Sequence, residues 1–237
     1  MTVTAASGLN SHARITATAS IYASPKPSLA GRKIGAASKG HFTGQMVIPD
    51  GATGRVVVSE SRLEILWKIY LLSLPEVETV VEQVPFEWFD DDGEAHTKYF
   101  DIVIVFKNGK RLAFEVKPEI RLESGRVMRE LRAIAAQLDG RFDDVRVLTD
   151  KGLDPIAVHN AETFFAMRVA DEEADAAAEA VISRLAGSAS LKGLSCQIGL
   201  GPQGTRAIIR LIARRRLRLC RHERISLASM VRRVEVI

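Results

Sequence analysis

Between Ser59 and Pro75 the chain carries Leu63, Ile65, Leu66, Trp67, Ile69, Tyr70, Leu71, Leu72 and Leu74. On a helical wheel these cover nearly every side, so the pattern predicts a buried helix ended by Pro75. Three strand-like runs follow: Val77 to Phe89 up to the turn Asp90-Asp91-Asp92-Gly93, then Thr97 to Phe106, then Arg111 to Lys117 after Asn108 and Gly109. Short connections between them predict an antiparallel meander. Helical spacing returns over residues 124–138, 155–169 and 172–186, and Val145 to Thr149 reads as a short buried strand. Residues 55–186 are therefore expected to form an α/β core.

The flanks have a different texture. Residues 1–54 are rich in Ser, Ala, Gly and Thr with few large apolar side chains, which predicts a mostly irregular arm carrying little chemistry. The Gly, Ser and Leu-rich stretch 187–204 reads as a linker. Beyond it, residues 205–237 have room for a helix capped by Thr205 and running through Leu217, then two short strands, the helix-and-hairpin pattern of a small winged-helix-like element. Gly199, Gly201 and Gly204 spell GxGxxG, but no strong apolar strand precedes them and Pro202 lies inside, so a turn leading into a helix is the better reading.

Strand register decides which polar residues of the meander meet. A two-residue loop at Asn108-Gly109 would put Glu115 and Lys117 on the same sheet face as Phe100, Ile102 and Ile104. A three-residue loop of Lys107, Asn108 and Gly109, with Gly109 in the left-handed region, sorts the faces instead. One face then holds Phe100, Ile102, Ile104, Phe106, Leu112, Phe114 and Val116, and the other sets Asp101 directly opposite Glu115 with Lys117 beside them. Two carboxylates about 4 Å apart repel by roughly 4 kcal/mol at an effective dielectric near 20. Either Lys117 neutralises them as a cross-strand ion pair, or they hold a divalent cation through hard oxygen ligands.

Composition limits the alternatives. The 237 residues, 46% apolar and 26% charged, suit a globular chain and not a wholly disordered or membrane-spanning one. No apolar stretch of signal-peptide length opens the sequence, so a cytoplasmic location is expected. Two cysteines, Cys196 and Cys220, and five scattered histidines offer neither a disulfide framework nor a zinc or histidine-metal spacing. The net charge of +4 divides into +5 over residues 1–49, −11 over 50–180 and +10 over 181–237. An acidic centre between basic flanks suits cation binding in the middle and a polyanion at the ends. In the last segment Arg206, Arg210, Arg214, Arg215, Arg216, Arg218, Arg221 and Arg224 alternate with Ile208, Ile209, Leu211, Ile212, Leu217 and Leu219, which predicts a folded basic element in contact with nucleic-acid phosphates or, as a second reading, docked onto an acidic protein surface. Few aromatic residues are interleaved, so base stacking on single strands is not expected.

The order of helix glutamate, strand aspartate and strand Glu-x-Lys resembles the PD-(D/E)xK nuclease fold. The runs Ser61-Arg62-Leu63-Glu64, Glu82-Gln83-Val84-Pro85, Tyr99-Phe100-Asp101 and Phe114-Glu115-Val116-Lys117 resemble, more closely, TnsA-type endonuclease subunits of heteromeric transposases, with the likeness spanning residues 55–120. Phe100 stands where a proline often precedes the aspartate of that family. The resemblance implies metal-binding acids at Glu64, Asp101 and Glu115, a catalytic lysine at Lys117 and an accessory role for Gln83. It implies hydrolysis of phosphodiester bonds in double-stranded DNA with Mg2+ or Mn2+, at the 5′ strands of transposon ends, alongside a catalytic transposase subunit and an ATP-dependent regulator. Glu64, third after Ser61, also fits a helix capping box, and Glu60 could take its place as ligand. A stand-alone restriction or repair nuclease of the same fold, and a non-catalytic DNA-binding adaptor with a structural ion-pair cluster, remain as alternatives.

Overall fold

The computed structural model describes residues 24–34 and 42–235. Strands β1 (Gly44–Ile48) and β2 (Arg55–Ser59) pair as an antiparallel hairpin. The first of these lies within the segment expected to be irregular, where small residues hid a strand whose inward side chains are Ile48 and, across the hairpin, Val57. Helix α1 (Arg62–Leu72) follows, then β3 (Val77–Phe89), β4 (Ala95–Phe106), β5 (Arg111–Val116), α2 (Arg126–Ala135), β6 (Asp144–Leu148) and α3 (Pro155–Ala166). The main sheet runs β3-β4-β5-β6, with the first three strands antiparallel and β6 parallel to β5, so α2 is the crossover.

Two apolar layers enclose this sheet. Trp67 and Leu71 of α1 pack with Val80, Ile102, Ile104, Phe114 and Val116 on one face, joined by Ile48 and Val57 of the hairpin. Leu131 and Ile134 of α2 pack with Phe86, Phe100, Val103, Ala113 and Phe142 on the other.

The β4–β5 register is the one that the apolar pattern selects. Ile102 pairs with Phe114 and Val103 with Ala113, and the loop closes with Gly109 at φ 85° donating to the Phe106 carbonyl. Phe100 departs from expectation, because it joins the α2 layer while Ile102 joins the α1 layer. Strict alternation cannot place residues two apart on opposite faces. The break lies at Asp101 and its cross-strand neighbour Gln83, a non-glycine residue at φ 51° where the β3–β4 ladder skips a pair. A local twist there turns both strands over.

The C-terminal unit begins earlier than the composition suggests. Helix α4 (Glu172–Ser183), β7 (Ser188–Ser190), α5 (Leu191–Ile198), α6 (Gly201–Ala213), β8 (Leu217–Leu219) and β9 (Met230–Arg233) share a third core built on Ala174, Ala178, Ile182, Leu194, Ile208, Leu211 and Val231. Its three strands lie in the order β7-β9-β8. The 187–204 stretch is thus folded and not a linker: Leu191 and Leu194 are buried, and Ser190 caps α5 through the Gly193 amide. Thr205 is interior to α6 and not its cap, and its hydroxyl meets Ser195 of α5 at 2.7 Å. The three glycines form a helix–helix corner. Gly199 closes α5 in the left-handed region, Gly201 opens α6, and Gly204 lies so near α5 that a Cβ would stand 2.9 Å from Ile198.

Candidate metal and nucleic-acid site

Asp101, Glu115 and Lys117 converge where β4 and β5 separate. Beyond the Ile102–Phe114 pair, the Asp101 carboxylate takes over from the ladder, and its Oδ2 accepts from the Val116 amide at 2.8 Å. Its Oδ1 accepts from Gln83 Nε2 at 3.2 Å, so the left-handed turn at Gln83 aims a buried amide at the carboxylate. Lys117 Nζ stands 2.7 Å from Glu115 Oε1 and 3.8 Å from Asp101 Oδ2. Both carboxylates are buried, with residue exposures of 6% for Asp101 and 4% for Glu115.

Charge is not balanced evenly. Glu115 has a second cation, because Lys98 Nζ bridges Glu115 Oε2 and Glu130 Oε1 of α2, each at 3.0 Å. Among the described residues, Asp101 has an ion pair only with the shared Lys117. Burial first, then the nearby Glu115 and, further off, Glu64 raise the Asp101 carboxyl to about 6, against the pull of Lys117 and the Val116 amide. For Lys117 burial works against the charge, but Asp101, Glu115 and Glu64 together hold its ammonium above the ordinary lysine value. Lys117 therefore stays cationic at neutral pH.

Glu64 sits at the start of α1 in the capping arrangement. Its amide donates to Ser61 Oγ at 3.1 Å, its Oε1 accepts from that hydroxyl at 2.9 Å, and its Oε2 accepts from the Glu60 amide at 3.0 Å. One turn on, the fully buried Lys68 lies 3.6 Å from Glu64 Oε2 and bonds the Val58 carbonyl and Ser59 hydroxyl. Burial lowers the pKa of Lys68, with Glu64, Glu82 and Asp101 opposing. Glu60 pairs with Arg32. Among the described residues no three Asp, Glu, His or Cys side chains stand as a ready metal cage. Asp101 and Glu115 are nevertheless hard oxygen donors of the kind that Mg2+ and Mn2+ take, and burial together with the Glu115 charge makes the ionised Asp101 carboxylate costly without a further cation.

The N-terminal segment, where little chemistry was expected, reaches this site. Gly31 donates to the Gln83 carbonyl at 2.9 Å, and Arg32 Nε donates to Gln83 Oε1 at 2.6 Å. The Arg32 guanidinium also pairs with Glu60 and lies 5.5 Å from the Tyr99 ring centroid. Ser28 bonds Glu82, whose other oxygen meets the buried Arg55 at 3.2 Å. Gly31 is the residue that permits this approach, since a Cβ would stand 2.6 Å from Pro85 Cδ. No local pattern in residues 24–34 marks Arg32. The only local signal for Lys98 is that β4 carries no other lysine.

The C-terminal arginines divide. Arg210, predicted to touch DNA, is 5% exposed, and its guanidinium meets Asp175 at 2.5 Å and the Met167 carbonyl at 3.2 Å. It is a structural tie between α6 and α4, placed inward by the helical period that sets it among Ala207, Ile208 and Leu211. Arg214 also reaches Asp175, Arg215 reaches Glu76 and Arg216 reaches Glu179. Arg206, Arg218 and Arg221 are exposed and have no carboxylate within ion-pair distance among the described residues. The sequence matches no protein-family model and no curated protein. No helix among the described residues is long and apolar enough to cross a membrane.

Proposed function

We propose that this chain is a metal-dependent DNA endonuclease with a PD-(D/E)xK core, residues 55–170, and a winged-helix-like C-terminal unit, residues 171–235. The observation that carries the reading is the pair of buried carboxylates sharing the Lys117 ammonium at a strand divergence, with Asp101 pushed up to about 6 by burial and by its neighbour Glu115. Such a strongly perturbed group in a cleft is a mark of function. The layered sheet, the crossover helix after β5 and the order α4-β7-α5-α6-β8-β9 fit the same reading.

Asp101 and Glu115 would hold Mg2+ or Mn2+, with Glu64 bound directly or through water. When bound, the ion would polarise the scissile phosphate and make its water more acidic. Gln83 and the Val116 amide fix the two Asp101 oxygens, which limits the rotation of the ligand. Lys117, cationic at neutral pH, orients the attacking water by hydrogen bonding and stabilises negative charge developing on the phosphate, while proton abstraction falls outside its charged state. The proposed hydrolysis implies no covalent intermediate. Through its resemblance to transposase endonuclease subunits, the substrate would be the 5′ strands of transposon ends, with a catalytic transposase subunit and an ATP-dependent regulator as partners.

A second reading, a DNA-binding adaptor with a structural ion network, is favoured by the Lys98–Glu115–Lys117 chain and by Glu64's engagement in the helix cap. Nicking of supercoiled plasmid in Mn2+, with and without a transposase subunit, separates the two. Metal-dependent nicking that disappears in Asp101→Ala is expected of the nuclease. Persistent nicking in that variant, or none in the parent under either condition, rejects it.

A further inference from the structure

An open cleft of about 890 Å³ runs between the start of α1 and the start of α2. Glu60, Glu64 and Asp101 line it together with Lys117, Arg121, Arg126 and Arg129. Arg121 belongs to the single turn Glu119–Leu122 that follows Lys117 and Pro118, while Arg126 and Arg129 are three apart on one face of α2. All three arginines are exposed, and none has a carboxylate within ion-pair distance among the described residues. They share this with Arg206, Arg218 and Arg221 and differ from Arg210, Arg214, Arg215 and Arg216, each held by an acid, but of these arginines only Arg121, Arg126 and Arg129 line the cleft that contains Asp101. Helix stability does not account for Arg126 or Arg129, since α2 has no acidic residue in its first turn and positive side chains there oppose the helix dipole.

We propose that Arg121, Arg126 and Arg129 form the clamp that holds the phosphodiester backbone of duplex DNA over the carboxylates, so that the principal DNA contact lies on the nuclease core and not on the C-terminal arginine-rich helix. This rests on the nuclease reading for the identity of the polyanion. A floor of carboxylates repels phosphate, and a substrate can approach it only where cations on the rim offset that repulsion. Guanidinium groups suit the task because they present forked donors to phosphate oxygens and stay charged at any working pH. Among the described residues no aromatic ring lines the cleft, so they offer no platform on which unpaired bases would stack, and the rim is suited to a duplex.

The test is equilibrium binding of a fluorescent 30-base-pair DNA duplex to the full chain in chelator, followed by anisotropy over a range of salt. The triple variant Arg121→Ala, Arg126→Ala, Arg129→Ala should bind at least ten-fold more weakly, and its log-log salt slope should fall by about 2 to 3, at roughly 0.9 for each phosphate no longer neutralised. Its melting temperature should match the parent's, because the three side chains are exposed. Arg214→Ala with Arg216→Ala, which breaks surface ion pairs, should leave the slope unchanged. Parent-like affinity and slope in the triple variant overturn the proposal, as does tighter binding of the parent to a single strand or an RNA duplex of the same length. The nuclease reading fails separately: binding abolished in the triple variant, with no metal-dependent nicking by the parent, leaves the clamp standing on an adaptor.

Discussion

Replacing Asp101 by Asn should make the metal-free protein more stable. The Asp101 carboxyl titrates at about 6 when folded, against about 3.9 in an unfolded chain. At about pH 7.5 it is ionised in both states, so ionisation costs the fold about 3 kcal/mol, at about 1.4 kcal/mol for each tenfold in proton affinity. A raised carboxyl favours the folded state at low pH, and that advantage is lost as pH climbs from about 3.9 to about 6. Asn keeps the shape and an oxygen for the Val116 amide, but its NH2 then faces Gln83 Nε2, whose partner oxygen is held by Arg32. That mismatch of donors costs about 1 kcal/mol. The net gain is about 2 kcal/mol at pH 7.5, or a rise of ~4–8 °C in Tm for a chain of this size. At about pH 4.5, where the parent's carboxyl is largely protonated in the fold, the gain should shrink to near zero. Urea denaturation of both proteins in chelator at the two pH values measures it. Saturating Mg2+ should then stabilise the parent, by about 2.7 kcal/mol at 100 times Kd, and leave the variant unmoved. A variant less stable than the parent at pH 7.5, by the same amount at both pH values, would overturn the account from burial and carboxylate repulsion and leave Asp101 as an ordinary ion-pair partner of Lys117.

Lys117→Ala removes a cation that competes with the metal, so metal affinity by calorimetry should equal or exceed the parent's while single-turnover nicking at saturating metal slows by roughly a hundredfold; weaker metal binding or fast cleavage excludes the catalytic role. Gly31→Ala forces a Cβ to 2.6 Å from Pro85 and 2.8 Å from the Gln83 carbonyl, and should cost about 1–3 kcal/mol by overpacking while slowing nicking through the displaced Gln83. Parent-like unfolding in that variant would show that residues 24–34 do not brace the site. Arg210→Ala should destabilise by about 3–5 kcal/mol, as expected when one partner of a buried pair is removed, without lowering the salt slope of DNA binding. A stable variant with a reduced slope would restore Arg210 as a phosphate contact.

Much of the core was written locally. The all-round apolar α1, the three strands of the meander, the Asp90–Gly93 turn and the loop at Gly109 follow from periodicity and turn chemistry, which act over a few residues. The pairing that sets Asp101 toward Glu115 also followed, because only one register keeps charges off the apolar face. Other features depend on segments far apart in the chain. That Phe100 turns to the α2 layer depends on the twist at Gln83. That twist is braced by Gly31, more than fifty residues earlier, and no window of sequence contains both partners. The second cation on Glu115 comes from Lys98 on the neighbouring strand, and the arginine rim exists only because the start of α2 reaches the cleft that the start of α1 also lines. A run of arginines shows total charge but not which members find acids. Asp175, Glu179 and Glu76 take Arg210, Arg216 and Arg215 out of play through ion pairs that span 35 to 139 residues. Local sequence was enough for the elements of the meander, their register and which carboxylates meet, since these rest on short-range sterics and the exclusion of charge from an apolar face. Tertiary structure alone decided which charges stay unpaired around them, because ion pairing depends on distances of a few ångströms between side chains that the chain order keeps far apart.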